Sequence, residues 1–278
     1  MHTHILLIDC PDEKGLIYKI TGILYNNNLN ILSNGEFVEK RTNHFFMRSE
    51  IAGEFDYQEI KDELEAALPA SAHIRIAPRS KKKLVILATK EHHCLSDLLI
   101  RYYYKELNAE VQAVISNYDV LADLAGKFNV PFHYISHENC SREDHEQKLK
   151  EVIDTYEPDF LVLAKYMRIL TPSFISRYKN RVVNIHHSFL PAFIGANPYV
   201  QAYERGVKII GATAHFVTEN LDEGPIIAQN VMPVAHSQSA SEMAQAGRDI
   251  EKIVLAKSLK LVLDEKVMVY GNKTVIFD

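Results

Sequence analysis

Two polar side chains near the end of an apolar run, Asn184 and His186 in VVNIHHS (182–188), are the first residues placed to do chemistry. Residues at i and i+2 of a β-strand point to the same face, so the amide and the imidazole would share one space. Open α/β sheets hold their sites at the carboxyl ends of parallel strands, and this pair falls at such an end. A third group, Asp222, lies in NLDEGP (220–225) between two apolar runs. Gly224 and Pro225 permit a tight bend there that can aim the carboxylate back toward the sheet.

These three types suit attack on a small carbonyl. Negative charge develops on the carbonyl oxygen in the tetrahedral transition state, and an Asn amide and a protonated imidazole are donors that stabilise it. A carboxylate beside the imidazole favours its charged form and can accept a proton from the incoming nucleophile. Taken singly, each residue would more often fill a core or turn position. Their grouping in one strand end and one return loop is what singles them out.

The remaining residues narrow the chemistry. The adjacent pairs His92-His93 and His186-His187 would, on strands, point their rings to opposite faces and could not hold one ion. No HExxH or comparable spacing occurs, so no metal is expected. Cys10, Cys94 and Cys140 leave one thiol unpaired and show no CxxC spacing. They read as free packing cysteines in a reducing compartment. The run Ser141–Glu146 reads as a solvated helix start with Ser141 as N-cap. Residues 1–77 carry 7 Lys/Arg against 12 Asp/Glu, and the rest carries 24 of each. Neither part has the basic excess expected of a nucleic-acid partner. The opening stretch has no basic region, its apolar run stops at Asp9, and no segment is long enough to span a bilayer. A soluble, cytoplasmic protein is the expectation.

The elements that must position these groups change character near residue 80. Periodicity predicts strand 3–10, helix 15–27, strand 30–39, strand 43–52, helix 56–68 and strand 72–77. Leu16, Ile17, Ile20, Ile23 and Leu24 recur at helical spacing, Asn26–Asn28 end that helix, and the middle strands pair about a turn at Lys40–Asn43. The order β-α-β-β-α-β is that of a ferredoxin-like sandwich. Residues 79–83 read as a polar linker between domains at 1–78 and 84–278. In the second, apolar strands at 84–90, 109–117, 131–136, 159–166 and 182–188 alternate with helices at 94–107, 119–128, 143–156 and 172–178. Strands 209–219 and 225–234 and helix 239–263 follow. That pattern predicts an α/β, Rossmann-like, mostly parallel sheet covered on both faces.

Asn184-x-His186-x-Ser188-x-Leu190-Pro191, a glycine at 195, His215 and Leu221-Asp222-x-Gly224-Pro225 together resemble the signature of the folate-dependent formyltransferase superfamily. Lys165-Tyr-Met-Arg-Ile-Leu170 is similar to the strand-end loop by which that family holds a pterin ring. The resemblance covers about residues 84–265. It implies that Asn184, His186 and Asp222 are the catalytic three. It also implies that Arg168, Ile169 and Leu170, with Val217, Glu219 and Leu221 of the loop running to Asp222, line the folate pocket. A secondary reading puts His137 or His145 near the folate tail. Upstream, Asp9-Cys-Pro-Asp-Glu-Lys-Gly15 leading into Leu16-Ile-Tyr-Lys-Ile20 resembles an ACT domain, a module that commonly binds amino acids and pairs with a copy of itself. Asp12, Gly15 and Leu16 would mark its effector site, and a homo-oligomer is expected.

The superfamily holds transferases and hydrolases. Its ribonucleotide transformylases cradle a phosphate in a glycine-rich loop after the first strand. Here Ala88-Thr-Lys-Glu-His-His-Cys-Leu95 has no glycine and includes an acid. Its tRNA formyltransferases carry a basic accessory domain, which this chain does not show. An ACT domain ahead of the catalytic one, and His187 where the transformylases usually carry proline, resemble the hydrolytic branch. There water takes the formyl group of 10-formyltetrahydrofolate, giving tetrahydrofolate and formate for one-carbon and purine metabolism. Val200 departs from that branch, which tends to have histidine there. Transfer to a small amine by the same three residues is the alternative, and a non-catalytic sensor of amino acids and folate is a third reading. No cofactor is implied, the folate being substrate.

Overall fold

The computed structural model describes residues 3–192 and 198–277, except the side chain of Pro198. Gly195 of the signature lies outside them. Two compact units divide the chain. The first comprises the residues up to Ser80, Asp264–Met268 and those from Val275 on. The second comprises Lys81–Leu263 and Val269–Thr274.

In the first unit β1 (Thr3–Pro11), α1 (Leu16–Asn26), β2 (Asn30–Glu39), β3 (His44–Ala52), α2 (Tyr57–Ala67) and β4 (His73–Pro78) follow one another. The sheet runs β2-β3-β1-β4 with every pair antiparallel. Strand alternation turns Leu6, Ile8 and Cys10 of β1 toward Leu16, Ile20 and Leu24 of α1 and Ile60 and Leu64 of α2, which together form the core. The buried stripe of α1 is narrower than its apolar spacing suggested, since Ile17 is 43% exposed. Gly15 caps α1 with φ +94°, a left-handed value that favours glycine. Asp56 caps α2, its carboxylate accepting from the backbone N–H of Gln58 and Glu59.

The second unit continues with β5 (Lys82–Ala88), α3 (His93–Tyr103), β6 (Ala109–Ser116), α4 (Ala122–Lys127), β7 (Phe132–Tyr134), α5 (Arg142–Asp154), β8 (Phe160–Leu163), α6 (Pro172–Arg177) and β9 (Val182–His186). Then come α7 (Pro198–Arg205), β10 (Ile209–Phe216), β11 (Ile226–Pro233) and α8 (Ala240–Leu263). A hairpin of β12 (Val267–Tyr270) and β13 (Lys273–Ile276), its residues divided between the two units, follows. The large sheet runs β11-β10-β9-β8-β5-β6-β7. β9, β8, β5, β6 and β7 are parallel, and β10 and β11 are added antiparallel. The chain moves from β5 outward to β7, then returns to β8 on the other side of β5. The order reverses there, and ligands of open α/β sheets gather at such a point. Helix α7 and the final hairpin were not expected from periodicity. α7 is only eight residues long, and the hairpin turns at Gly271, where φ is +57°.

One buried knot fixes the chain that leaves β9. The Thr213 hydroxyl accepts from Leu190 N at 3.0 Å and from Gln229 Nε2 at 2.9 Å, and donates to Ser188 O at 2.9 Å. The residues just after His186 are thereby held against β10, in register with the site.

Candidate active site

Asn184 and His186 project from β9 to one face, as their spacing predicted, and Asp222 reaches them from the β10–β11 turn. His186 Nδ1 lies 3.2 Å from Asp222 Oδ1, and His215 Nε2 lies 3.7 Å from the same oxygen. Asn184 faces His215 across the β9–β10 pair, the two in register, and their side chains meet at 3.2 Å. His215 Nδ1 donates to the Phe216 carbonyl at 3.0 Å, so its Nε2 can accept one amide N–H of Asn184 and leave the other for a ligand. His186 lines a cavity of about 540 Å³, and its Nε2 is buried with no hydrogen-bond partner among the described residues. The carboxylate thus holds one ring nitrogen of His186 and leaves the other uncommitted.

The loop pays attention to Asp222 in its backbone as well. Asp222 adopts φ +57°, a left-handed conformation open to short polar residues. At Gly224 a Cβ would lie 1.8 Å from the Phe216 carbonyl oxygen, so only glycine permits the close return. Burial alone would raise the Asp222 pKa. The hydrogen bond from His186 and the nearness of His215 outweigh it and hold the carboxyl well below the usual carboxylate range. The group stays ionised.

All six residues expected around folate line the same cavity: Arg168, Ile169 and Leu170 from the loop after β8, and Val217, Glu219 and Leu221 before Asp222. Ile169 and Leu221 are exposed apolar groups at its rim, and Leu170 is buried. The first loop is braced from behind. Glu146 accepts from Thr171 N at 2.7 Å and from the Thr171 hydroxyl, and Arg142 donates to the Ile169 carbonyl. Ser141 does cap α5, but Glu146 is buried, so the run Ser141–Glu146 is not wholly a solvated start. A carboxylate brace one turn into the helix has no sequence period to reveal it.

Other expectations are corrected. His93 begins α3 and is not on a strand, and its Nε2 contacts Glu251 Oε2 at 2.7 Å. His187 follows the end of β9, so alternation no longer applies, and its ring stacks on His186 at 4.8 Å with planes 18° apart. His137 meets Asn117 and His145 meets the Ile135 carbonyl, and neither lines the cavity. Val200 is exposed and does not line it either. In the first unit Asp12 N donates to the Asn43 carbonyl and Leu16 is buried in the core.

Sequence reasoning missed Glu251 and Tyr199. Glu251 is 1% exposed, and its oxygens take the Tyr199 hydroxyl at 2.8 Å, His93 at 2.7 Å and the Lys165 ammonium at 3.4 Å. Burial opposes its ionisation, but the His93 hydrogen bond and the Lys165 charge hold its pKa down to about 2. Cys94 lies close enough to His93 and Glu251 for the three to face one ion. Burial pushes its thiol well up, and the Lys165 ammonium already supplies the positive charge beside Glu251. A charged residue on the buried stripe of α8, four after Gly247, was the signal available.

An N-terminal β-α-β-β-α-β unit and a sheet carrying Asn, His and Asp at its strand ends define an ACT-linked protein of the formyl transferase class. Residues 82–259 match the formyl transferase family and residues 4–69 match the ACT domain. The formyltetrahydrofolate deformylase of Haemophilus influenzae is 56% identical, over 98% of this chain and 98% of its own. Crystal structures of formyltetrahydrofolate deformylases from Pseudomonas syringae pv. tomato and Burkholderia mallei superpose with TM-scores of 0.96 and 0.93, at 40% and 35% identity. Each comparison covers all of this chain, with 95% and 100% of the other. The chain belongs to the formyltetrahydrofolate deformylase family.

Replacing Asp222 with Asn keeps the shape and removes the charge. Turnover of formyltetrahydrofolate by Asp222→Asn should fall about a hundred- to ten-thousand-fold, the range for a lost general base. Initial rates at saturating substrate measure this, and an unchanged rate removes Asp222 from the chemistry.

Proposed function

We propose that this chain hydrolyses 10-formyltetrahydrofolate to formate and tetrahydrofolate, with Asn184, His186 and Asp222 as the catalytic residues. Family membership supports the reaction. The observation that carries the residue roles is the placement of His186 on the cavity wall, with Nδ1 against Asp222 at 3.2 Å and Nε2 unpartnered among the described residues. The folate enters between Arg168–Leu170 and the loop from Val217 to Asp222, setting its formyl carbon beside Asn184. A water aligned by Asp222 attacks that carbon. The second amide N–H of Asn184 and a protonated His186 Nε2 donate to the developing oxyanion.

The low pKa of Asp222 fits this sequence. While His186 Nδ1 donates to it, the carboxylate is a weak base. As negative charge builds on the nearby oxyanion, the carboxylate becomes a stronger base and can take the proton of the water. The proton then reaches the folate nitrogen, the carbon–nitrogen bond breaks, and formate leaves. Neither a metal nor a cofactor is needed, because the oxyanion is met by fixed donors and the nucleophile by a carboxylate.

We further propose that the reaction supplies formate to one-carbon and purine metabolism in the cytoplasm, in line with three cysteines that are all free. No helix among the described residues is long and apolar enough to cross a membrane. The ACT unit is read as an amino-acid-responsive module of a homo-oligomer. Exposed Tyr18, Tyr25, Leu32 and Phe37 give it apolar surface for a second copy, and the loop Asp12–Leu16 ends at a helix N-terminus that suits a carboxylate.

Incubating the pure protein with formyltetrahydrofolate and no amine should release one formate for each tetrahydrofolate formed. Product formation only on adding an amine would convert the reading to transfer, and binding without products would convert it to sensing. Thermal shifts with each amino acid, with light scattering of the same samples, should show a stabilising effector and more than one copy per particle. No shift with any amino acid, or a monomer throughout, counts against the regulatory reading.

A further inference from the structure

We propose that the buried network of Tyr199, Glu251 and Lys165 is the specificity element that keeps amines from the reacting carbon, so that water alone takes the formyl group. This inference rests on the hydrolytic reading above. The network begins on the face of His186, away from the ring edge that meets Asp222. His187 stacks on that face, and Lys165 Nζ donates to His187 Nδ1 at 3.2 Å. An ammonium has no lone pair, so His187 Nδ1 must be the acceptor. Lys165 in turn reaches Glu251 at 3.4 Å and Glu91 at 3.8 Å. Glu91, Lys165, His187, Tyr199 and Glu251 all line the cavity that holds the catalytic three.

An amine acceptor would need room beside the formyl carbon and a polar group ready to hold it. Here the polar groups are already committed. Both oxygens of Glu251 are used, by Tyr199 on one side and by His93 and Lys165 on the other. Breaking one member out of a buried charged network to receive a ligand leaves the others unpaired, which is costly. Water needs no such rearrangement, since the Asp222 carboxylate alone can hold it.

The seat of Tyr199 is built into the helix beneath it. A Cβ at Gly247 would lie 2.0 Å from the Tyr199 hydroxyl oxygen and 2.2 Å from Cζ. Glycine inside a 24-residue helix is unfavourable relative to alanine. Its lack of a side chain is what lets the phenol lie against α8 and reach Glu251 one turn on. The entry to α3 adds a second discriminator. Glu91 lies 3.6–3.8 Å from His93, Lys165 and Arg248, placing beside the start of α3 a carboxylate that disfavours an anionic acceptor.

The test measures partition between water and a probe amine, glycinamide, with 10-formyltetrahydrofolate as donor. In transfer, the amine nitrogen bonds the formyl carbon, the bond from that carbon to the folate nitrogen breaks, and the amine proton ends on the folate nitrogen. Formate, N-formylglycinamide and tetrahydrofolate are quantified together. The unaltered protein should give formate equal to tetrahydrofolate whatever the amine concentration. Tyr199→Ala, which opens the wall, should raise N-formylglycinamide per tetrahydrofolate by about tenfold or more, the scale on which a pocket-filling group discriminates. Gly247→Ala keeps the tyrosine but displaces it from its seat, so it should shift the ratio the same way. Tetrahydrofolate production by these variants with formate still accounting for all of it overturns the proposal. Absence of formate from the unaltered protein would instead sink the hydrolytic reading and is separately visible.

Discussion

The contact between Asp222 and His186 is the constraint on which the rest depends. A carboxylate from one turn must come back to a strand end and meet an imidazole while keeping its own charge and leaving the far ring nitrogen uncommitted. Each part of that requirement has its own device. Asp222 takes a left-handed backbone conformation, and Gly224 lets the return strand pass against Phe216 where any side chain would collide. β9 and β10 pair in a register that puts Asn184 opposite His215 and Thr213 opposite His186. Thr213 then ties the residues that follow β9 through three hydrogen bonds. A slip of one residue in that pair would turn the amide and the imidazole to the other face of the sheet.

Two carboxylates serve the site in different ways. Asp222 is half-buried and keeps His186 oriented. Glu251 is almost wholly buried, and its charge is answered by Lys165 and His93 while its second oxygen takes Tyr199. For each, the surroundings outweigh burial and keep the group ionised. The two systems meet at the stacked rings of His186 and His187. The chemistry and its choice of nucleophile therefore share one wall of the cavity.

The order of elements was legible because it depends on local period. Continuous apolar strands with helices between them read as a parallel sheet, and alternating strands around α1 and α2 read as the smaller sandwich. Asn184 and His186 were legible because two residues apart on a strand fixes a shared face, and the six residues that line the cavity because the family resemblance named them. Glu251, Tyr199 and Glu146 were not. Each pairs with a partner 25 to 158 residues away, across packing that no period encodes. His187 was misread because the strand ends at His186, two residues before the end of VVNIHHS, and alternation ends with it. A carboxylate on an apolar helix face, as Glu251 is on α8, is the one local sign such networks leave.

The central claim is that Asn184, His186 and Asp222 converge on a single carbonyl carbon, and a crystal structure with a non-hydrolysable formyl-bearing folate analogue tests it most directly. The account predicts the formyl oxygen within hydrogen-bond reach, about 2.7–3.2 Å, of Asn184 Nδ2 and His186 Nε2, with a water held by Asp222 on the other side of the carbon. A formyl group beyond the reach of both donors, or Asp222 turned away from the imidazole when the ligand is bound, would contradict it.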